Sequence, residues 1–493
     1  MPKDYFSISR QAKLSDVPSG GKIHVIGVCG VAMAQLSMEL ASRGYLVSGS
    51  DKEFYEPMGS ALAKSQVRLC RGYDASNVPL DAKLVVIGNA ISYGHPEVVV
   101  TEEKGLPYTC FPSLLAETII GPNHSIVVSG THGKTTTTAM IATILMHAGK
   151  DPSYFIGGMV PHLPSSLVAG KGGVCVVEGD EYDSVFYAKV PKFDFYKPLT
   201  CIVNAIEFDH ADIYPNVDAI EREFDKLARA VPKGGTVFCA IDFPRVKRLA
   251  AEWRASAAAS VITFGEDASA QVRVVGREQI GDVQHITVEG EPFGKCTFPL
   301  SLSGAYNAKN AVAATLAAMR AGVSREDALK ALSKFVPVKR RQEVRFSRGG
   351  VVHVEDFAHH PTAARETIKG VRERFPAKKL WAVFEPRSNT SRRKVFQSEY
   401  VEAFQGAHGV VLAEVTQRQS DTGQELLDVK ELARDISESG IVSSVIPTPD
   451  EIVAYLMERI GSDDVILIMS NGSFGGINEK MVAALEKRFP ANG

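Results

Sequence analysis

The stretch "VVSGTHGKTTTTAM", Val127 to Met140, places a Gly-Lys-Thr turn between an apolar run and a helical run. Backbone N–H groups in such a turn, together with the N-terminus of the following helix, form a cradle for an anion. The loop residues are Gly130, Thr131, His132, Gly133, Lys134, Thr135 and Thr136. Val128 stands where the standard phosphate loop, G-x-x-x-x-G-K-[ST], has its first glycine. The rest of the spacing predicts a nucleotide-phosphate site, with Lys134 on the outer phosphates and the Thr135 hydroxyl on Mg²⁺.

Strand-like apolar runs alternate with helical runs on both sides of this stretch. "KIHVIG" and "KLVVIGNAI" precede it, "GVCVVEGDE" and "TCIVNAIEFDH" follow it, and "LWAVFEP" and "DVILIMSNGSFGG" come near the end. This alternation predicts parallel sheets covered by helices. "GPNH", from Gly121 to His124, and Pro337 are turn signals at which domains can end. We therefore expect a flexible arm at residues 1–20 and three consecutive α/β domains at 21–120, 121–337 and 338–493.

The composition is that of an ordinary globular protein. The chain has 493 residues, is 45% apolar and 23% charged, and has a formal net charge of -2, so no overall charge attracts it to nucleic acid or membrane. Its seven cysteines are scattered and form no CxxC pattern, which favours a reducing compartment over a disulfide framework or a zinc ribbon. No signal peptide or run of ~18 apolar residues is present. We expect a cytoplasmic protein with neither nucleic-acid nor membrane partners.

Acidic and histidine side chains follow two of the central strands. "VVEGDEYD" ends its apolar run at Glu178, and "EFDHADIY" places His210 beside Asp209. Carboxylate, hydroxyl and imidazole ligands suit Mg²⁺ or Mn²⁺ better than a thiol-binding metal. The hypothesis is a metal site formed by Thr135, Glu178 and His210. The alternative for His210 is an ordinary surface or hydrogen-bonded histidine.

A second glycine turn occurs near the N-terminus. "GVCGVAM", Gly27 to Met33, resembles a dinucleotide fingerprint, and Asp51 ends the next strand about where a ribose-binding acid would lie. The pattern here is G-x-x-G-x-A instead of G-x-G-x-x-G, so the middle glycine that lets the backbone approach a pyrophosphate is missing. The loop therefore indicates a pyrophosphate-bearing ligand more than NAD, and an NAD-linked oxidoreductase is kept as an alternative.

Two motifs in the last third are harder to interpret alone. In "EDFAHHP", His359 and His360 would point to opposite faces if the strand continued, so they would not chelate one metal. "SNGSFGG", Ser470 to Gly476, is a glycine-rich loop beyond an apolar strand, where α/β folds place ligand contacts. The alternative for this loop is a flexible turn.

Six motifs follow one another along the chain: "GTHGKTTT", "EGDEYD", "EFDHADIY", "NAKN", "RRQE" and "DFAHHP". Together and in this order they resemble the motifs of the Mur ligases, the ATP-dependent amide-forming enzymes of peptidoglycan synthesis. The resemblance covers essentially the whole chain after the arm. It implies a Rossmann-like N-terminal domain for the UDP-sugar, a P-loop ATPase-like central domain for ATP, and a Rossmann-like C-terminal domain for the peptide. It also implies closure of the domains around the substrates.

The resemblance assigns roles to individual residues. Lys134, Glu178, His210 and Arg341 would be catalytic. ATP would be held by the phosphate loop with Asn307, Asn310, Arg341 and Asp356, although Tyr306 stands where the family often has histidine. The UDP-sugar would be held by Gly27, Cys29, Gly30, Asp51 and Asn89. The peptide would be held by His359, His360, Arg387, Ser388, Asn389, Ser470 and Asn471.

Two segments indicate a branch of the family. "GVCGVAM" and "EPRSNT" are similar to the enzymes that join UDP-N-acetylmuramate to a murein tripeptide, L-alanyl-γ-D-glutamyl-meso-diaminopimelate. In the family scheme ATP, with Mg²⁺ or Mn²⁺, converts the sugar's lactyl carboxylate into an acyl phosphate that an amine captures. The nearest alternative adds L-alanine instead. An alternative from another class is a phosphate-loop ATPase switch without ligase activity. We expect a monomer or weak oligomer.

Overall fold

The computed structural model of the chain describes residues 5–56, 58–416 and 425–490. The chain divides into two compact units. The first unit consists of residues 1–207, 218–272 and 312–331, and the second of residues 208–217, 273–311 and 332–493. The short segment Phe208–Val217 therefore belongs to the second unit, although the chain on both sides of it belongs to the first.

The N-terminal part of the first unit is a parallel sheet with helices between its strands. Its described elements are β1 (Lys22–Ile26), α1 (Val31–Ser42), β2 (Leu46–Asp51), α2 (Met58–Ala63), β3 (Arg68–Arg71), β4 (Leu84–Ile87), α3 (Pro96–Glu103), β5 (Tyr108–Cys110) and α4 (Phe111–Leu115). The strands pair in the order β3-β2-β1-β4-β5, all parallel. The order reverses at β1, and open α/β sheets bind ligands beyond the C-terminal strand ends at such a point.

Residues 5–20, where the sequence predicts a loose arm, lie against this sheet. The Tyr5 hydroxyl donates to the Leu106 carbonyl at 2.7 Å, and the Ser7 N–H donates to the Tyr108 hydroxyl at 2.7 Å. The Phe6 ring centroid lies 4.7 Å from that of Tyr108. The flexibility of the arm stays a prediction, but its described residues contact the strand that ends the first sheet.

The rest of the first unit is built on a second sheet. Its described elements are β6 (His124–Ser129), α5 (Lys134–His147), β7 (Ser153–Phe155), β8 (Leu167–Val168), β9 (Val174–Gly179), β10 (Asp183–Val185), β11 (Ala188–Pro191), β12 (Thr200–Val203), α6 (Val217–Arg229), β13 (Thr236–Ala240), α7 (Pro244–Ser256) and β14 (Ser260–Gly265). Within the first unit, the strands of this sheet have the order β14-β13-β12-β6-β9-β7-β8, parallel except between β7 and β8, while β10 and β11 form a separate hairpin. Because β12, β6 and β9 are neighbours, the residues that follow them meet at one edge of the sheet.

The neighbouring strands β6, β9 and β12 form the centre of this sheet because their sequences are almost continuously apolar. Val127, Val176 and Ile202, one from each strand, are fully buried. A parallel strand that is covered by helices on both faces needs apolar residues at successive positions, not only at alternate ones. The same burial holds the strand ends, and the loops that follow them, in fixed positions.

The second unit contains an antiparallel ribbon and a C-terminal sheet. The ribbon consists of β15 (Val272–Ile280), β16 (Val283–Glu289) and β17 (Cys296–Leu300). The chain then runs through α8 (Ala305–Arg320) and α9 (Arg325–Leu332), of which residues 312–331 belong to the first unit. The further described elements are β18 (Glu343–Arg348), β19 (Val351–Asp356), α10 (Pro361–Arg374), β20 (Lys379–Phe384), α11 (Gln397–Ala403), β21 (Gly409–Leu412), α12 (Val429–Glu438), β22 (Val442–Val445), α13 (Pro449–Arg459), β23 (Asp464–Met469) and α14 (Ile477–Arg488).

The C-terminal sheet has the order β18-β19-β23-β20-β21-β22, with only β18 antiparallel among these strands. Alternate residues of β20 pack into two different cores. Leu380 belongs to the core on one face, with Ile368 of α10, whereas Trp381 belongs to the core on the other, with Leu456 of α13. This period-2 pattern places a helix layer on each face of the sheet.

The predicted fold class is confirmed: consecutive α/β segments with parallel sheets and covering helices follow one another along the chain. The helical run predicted after the Gly-Lys-Thr turn is α5. The exact domain limits stay a prediction. Within the described residues, every helix is too short or too polar to cross a lipid bilayer.

Candidate active site

The predicted phosphate loop connects β6 to α5. Gly130 has φ +123° and Gly133, directly before the first residue of α5, has φ +83°. A Cβ atom on Gly130 would lie 2.7 Å from the Ala205 nitrogen and 2.9 Å from the Asn204 nitrogen. Glycine is therefore needed where the loop crosses the end of β12. The first N–H groups of α5 have no carbonyl partner one turn earlier and can donate to an anion.

Lys134 is the first residue of α5, and its ammonium is held inside the loop. Lys134 Nζ donates to the Gly130 carbonyl at 2.8 Å and to the two Glu181 carboxylate oxygens at 2.8 and 3.1 Å. Burial alone would lower the pKa of Lys134, but Glu181 and Asp180 outweigh it and raise that pKa above its ordinary value. Lys134 is therefore a fixed positive charge beside the loop's N–H groups.

Thr135 and Glu178 form an oxygen pair next to Lys134. The Thr135 hydroxyl donates to Glu178 Oε2 at 2.9 Å, and the Gly157 N–H donates to Glu178 Oε1 at 2.5 Å. Glu178 ends β9, the strand adjacent to β6, and is buried. Burial, with a contribution from Asp180, raises the pKa of Glu178 to about 7. An additional positive charge beside Glu178 would therefore stabilise its ionised form.

The remaining loop residues are held by the chain that follows β12. The Thr131 N–H donates to the Ala205 carbonyl at 2.9 Å, and the Glu207 N–H donates to the Thr131 hydroxyl at 3.0 Å. His132 Nε2 lies 2.8 Å from Glu207 Oε2. Thr136 is buried in the first turn of α5. These hydrogen bonds hold the loop in a defined shape.

The residues predicted for the UDP-sugar lie at the C-terminal ends of three neighbouring strands, β2, β1 and β4. Gly27, Cys29 and Gly30 follow β1, Asp51 ends β2, and Asn89 is exposed in the turn after β4. The Cys29 N–H donates to Asp51 Oδ2 at 2.8 Å, while the Tyr73 hydroxyl donates to Asp51 Oδ1 at 3.1 Å. Asp51 thus orders the loop after β1, a role that the sequence did not indicate. Burial raises the pKa of the Cys29 thiol, so this cysteine is not activated as a nucleophile.

In the second unit, His210 lies in a group of histidines around Asp209. The His210 N–H donates to Asp209 Oδ1 at 2.7 Å, and His210 has φ +53°, which is uncommon for a residue other than glycine. Burial would raise the pKa of Asp209, but His210, His359 and His360 hold that pKa well below its usual range. A buried carboxylate thus stays ionised among imidazoles.

The strand geometry considered for His359 and His360 does not apply, because β19 ends at Asp356. His360 is instead the N-cap of α10, where the Thr362 N–H donates to His360 Nδ1 at 3.3 Å. His360 Nε2 lies 3.1 Å from the Phe208 carbonyl, and His359 Nδ1 lies 3.0 Å from the Phe357 carbonyl. The first of these contacts fixes the segment that carries His210.

Asp356 and Arg341 lie together in the second unit. Asp356 accepts the Gln342 N–H at 2.8 Å and the Ala358 N–H at 2.8 Å. Burial raises the pKa of Asp356, and Arg341 and the N–H donors oppose that shift only in part. The Arg341 guanidinium lies 4.8 Å from the centroid of the Phe357 ring. The "RRQE" motif is therefore held against the end of β19.

The start of α8 is hydrogen-bonded to the same "RRQE" motif. Asn307 Nδ2 donates to the Ser303 carbonyl at 2.9 Å, and Asn310 Nδ2 lies 3.4 Å from Asn307 Oδ1. Gln342 Nε2 donates to the Tyr306 hydroxyl at 2.9 Å. Tyr306, which stands where the family often has histidine, therefore joins the start of α8 to the "RRQE" motif.

The residues predicted for the peptide follow β20 and β23. Arg387 Nη1 lies 3.7 Å from Glu385 Oε1, and the Ser470 hydroxyl donates to Glu385. Asn389 Nδ2 donates to Asp212 Oδ2 at 2.8 Å. Ser388 accepts the Ser391 N–H at 2.9 Å, and Asn471 follows Ser470 directly. Because β20 and β23 pair in parallel, these loops share one edge of the C-terminal sheet.

Comparison with known proteins gives the family. The model of the Mur ligase family, catalytic domain, matches residues 22–121, the Mur ligase middle domain matches 128–318, and the Mur ligase, glutamate ligase domain, matches 340–472. The UDP-N-acetylmuramate–L-alanyl-γ-D-glutamyl-meso-2,6-diaminoheptandioate ligase of Escherichia coli (strain K12) is 33% identical over 474 residues, 95% of this chain and 99% of the relative. The chain belongs to the Mur ligase family.

Two further comparisons agree with this assignment. The UDP-N-acetylmuramate–L-alanine ligase of Desulfitobacterium hafniense (strain Y51) is 31% identical over 463 residues, 93% of this chain and 99% of the relative. The crystal structure of a murein peptide ligase from Psychrobacter arcticus 273-4 matches with a TM-score of 0.68 at 31% identity, covering 94% of this chain and 99% of that one. Mur ligases are ATP-dependent and form C–N bonds, so this chain is an ATP-dependent ligase.

The residues beside the phosphate loop fit a divalent metal ion such as Mg²⁺. Thr135 and Glu178 offer hydroxyl and carboxylate oxygens 2.9 Å apart, which are the hard donors that Mg²⁺ prefers. The raised pKa of Glu178 shows that its negative charge is incompletely compensated. His210, the third predicted ligand, belongs to the second unit, so a site that includes all three stays a prediction.

Three residues of this Mur ligase have roles that the sequence reasoning missed. Glu181 holds the Lys134 ammonium, and Asp209 is the carboxylate among the histidines. Arg340, adjacent to the predicted Arg341, donates to the Ser470 carbonyl at 2.8 Å and to Glu355 at 2.8 Å. The second glutamate of "EGDEYD" and the first arginine of "RRQE" were visible signals, but the sequence did not indicate which acid would contact Lys134 or which arginine would contact Ser470.

Proposed function

We propose that the chain joins the lactyl carboxylate of UDP-N-acetylmuramate to the free amine of L-alanyl-γ-D-glutamyl-meso-diaminopimelate. The observation that carries the proposal is the buried Lys134 ammonium in the phosphate loop, next to the Thr135–Glu178 oxygen pair, in a chain whose similar relatives include ligases named for this tripeptide. The same substrates place the reaction in the recycling of peptidoglycan.

The proposed reaction has two steps. A lactyl carboxylate oxygen attacks the γ-phosphorus of ATP, the bond to the bridging oxygen breaks, and ADP leaves with that oxygen. The product is an acyl phosphate. The peptide nitrogen then attacks the acyl carbon, a proton leaves the nitrogen, and inorganic phosphate departs with its oxygen. One amide bond is formed for each ATP consumed.

The difficulty in the first step is that two anions must approach one another. Lys134 supplies a fixed positive charge, and the N–H groups at the start of α5 supply further donors to the phosphates. Mg²⁺ on Thr135 and Glu178 would neutralise further phosphate charge. Arg341 is proposed to bind phosphate, as the family resemblance implies. Asn307, Asn310 and Asp356 are proposed to hold the nucleoside.

The test is release of inorganic phosphate from ATP and Mg²⁺ with UDP-N-acetylmuramate, supplying either the tripeptide or L-alanine as the amine. We expect phosphate release with the tripeptide, together with a product whose mass equals that of both substrates less one water. Activity with L-alanine and none with the tripeptide would overturn the proposed substrate. Equal ATP hydrolysis without the UDP-sugar would instead indicate an ATPase.

The L-alanine reaction is the second candidate because a relative named for it is 31% identical over 99% of its length. It uses the same phosphate loop and the same acyl phosphate, and it differs only in the amine. The phosphate-release experiment distinguishes the two candidates directly, since both amines are offered to the same protein under the same conditions.

A further inference from the structure

A cavity of about 640 Å³ opens in the second unit beside the segment that carries His210. One wall is formed by residues 208–215, including Phe208 and Tyr214, and the other by residues 393–395 with Glu425. This volume is typical of sites for ligands of drug or peptide size. A free amino acid as small as alanine would fill only a small part of it.

The two walls are held together by hydrogen bonds. Arg393 Nη2 donates to the Ala211 carbonyl at 3.1 Å, and Arg393 Nε donates to the Asn389 carbonyl at 3.2 Å. The Ala211 N–H donates in turn to the Thr390 hydroxyl at 3.3 Å. The "EPRSNT" segment therefore anchors both walls. Because Arg393 uses two of its N–H groups in these bonds, it is a positioning residue for the cavity.

The wall formed by residues 393–395 with Glu425 carries a pair of opposite charges at its rim. Lys394 Nζ lies 3.9 Å from Glu425 Oε2, and their side chains are 53% and 83% exposed. The Lys394 N–H donates to the Glu425 carbonyl at 3.0 Å, which fixes the two residues side by side. A long, exposed ion pair of this kind contributes little stability. Both charges can therefore be redirected to a ligand at small cost.

Apart from Arg393, Lys394 and Glu425, the residues that line the cavity are apolar or aromatic. Phe208 and Tyr214 face the cavity from one side and Val395 from the other, where Val395 is 55% exposed. A ligand that matches this arrangement has a chain of methylene groups ending in a carbon that bears both an ammonium and a carboxylate. The free end of meso-diaminopimelate, the third residue of the proposed tripeptide, has this structure.

We infer that this cavity binds the third residue of the peptide, with Lys394 on its distal carboxylate, Glu425 on its distal ammonium, and Phe208, Tyr214 and Val395 against its methylenes. The inference rests on the proposed function and adds to it the residues that select a diaminopimelate end. The nearby Asn389, already proposed for the peptide, lies on the anchoring segment of the same cavity.

Three acceptor peptides separate the contributions of the two charges. They are the diaminopimelate tripeptide, the same tripeptide ending in L-lysine, which keeps the ammonium but lacks the distal carboxylate, and the dipeptide L-alanyl-γ-D-glutamate. KM and kcat are measured by phosphate release for the unaltered chain, Lys394→Met and Glu425→Gln. Far-UV circular dichroism and the thermal midpoint establish that each variant is folded.

Lys394→Met should raise KM about tenfold for the diaminopimelate tripeptide and leave KM for the lysine tripeptide within about twofold. Glu425→Gln should raise KM for both tripeptides, again about tenfold. Neither variant should change KM for the dipeptide or kcat for any peptide by more than about twofold. The matched control is Lys480→Met, which breaks another exposed ion pair in the second unit, 2.7 Å from Asp450, and should leave every KM unchanged.

Several outcomes would overturn the inference. One is an unchanged KM for the tripeptide in both variants. Another is an equal rise in KM for the lysine and diaminopimelate tripeptides in Lys394→Met. The third is a rise in KM for the dipeptide in either variant. In these cases the proposed function stands, because the unaltered chain still uses the tripeptide. If the unaltered chain uses no peptide at all, the proposed function fails and the inference fails with it.

Discussion

At the scale of single residues, the proposed chemistry depends most on Lys134. Its ammonium is the positive charge already fixed at the phosphate loop, and the anionic carboxylate must reach an anionic phosphate there. We expect Lys134→Met to lower kcat by about 10²–10³, or about 3–4 kcal/mol, as removal of one preorganised donor does elsewhere. The measurement is phosphate release at saturating UDP-N-acetylmuramate and tripeptide.

The Lys134→Met variant needs a control for stability, because Glu181 is 1% exposed and would lose its ion-pair partner. Breaking a buried pair on one side is destabilising, whereas removing both charges is far less so. The double variant Lys134→Met/Glu181→Gln should therefore regain thermal stability without regaining activity. Lys171→Met, an exposed lysine before β9, should behave like the unaltered chain. A Lys134→Met kcat within tenfold of normal would contradict the role of Lys134.

At the scale of the element, the turn between β6 and α5 should tolerate no side chain at Gly130. A Cβ there would combine an unfavourable φ of +123° with contacts of 2.7 and 2.9 Å to backbone nitrogens after β12. Gly173, before β9, has φ +70°, and no heavy atom lies within 4 Å of a Cβ atom built there. Substitution of Gly173 by alanine therefore measures the effect of the backbone conformation alone. We expect Gly173→Ala to lower the free energy of unfolding by about 1–2 kcal/mol.

Gly130→Ala should cost about 1–3 kcal/mol more than Gly173→Ala, because the crowded backbone must move. It should also weaken ATP binding, since the moved backbone is the anion cradle itself. Urea unfolding and titration with an ATP analogue measure the two effects separately. Equal destabilisation by the two substitutions would mean that the loop can relax, and that its tight crossing of β12 is not needed.

The elements themselves were largely predictable from the sequence. Apolar runs such as "SIVVSG" and "DVILIM" are long, almost uninterrupted and bounded by turn residues, and they form the buried strands β6 and β23. The helical run that follows the Gly-Lys-Thr turn forms α5. Local patterns of this kind are sufficient because burial on both faces of a parallel sheet leaves few alternatives to a strand.

The arrangement of side chains within the candidate site was less predictable. Glu178 and Glu181 are three residues apart, and only the strand end and the turn after it decide that one meets Thr135 and the other Lys134. The segment Phe208–Val217 joins the second unit through contacts with residues that are far away in sequence, such as Arg393 and His360. The cavity beside it depends on those contacts, so no local pattern could have indicated it.

At the scale of the whole molecule, the residues proposed for one reaction are divided between the two units. The phosphate loop, Glu178 and the loops after β1 and β4 belong to the first unit, while Arg341, Asp356 and the proposed peptide cavity belong to the second. A ligand that binds one group of residues should order the backbone of the unit that holds them. Hydrogen exchange of the backbone amides reports such ordering segment by segment.

We therefore predict different protection by different substrates in hydrogen-exchange mass spectrometry of the full chain. A non-hydrolysable ATP analogue with Mg²⁺ should slow exchange most in residues 130–137, where the N–H groups of the loop and the start of α5 would donate to phosphates. The tripeptide alone should slow exchange most in residues 208–215 and 393–395, the two walls of the cavity. The Lys134→Met variant should lose the first effect and keep the second. If the tripeptide instead gave its largest protection at the loops after β1 and β4, the peptide would bind in the first unit, and both the cavity and the residues proposed for the peptide would be wrong.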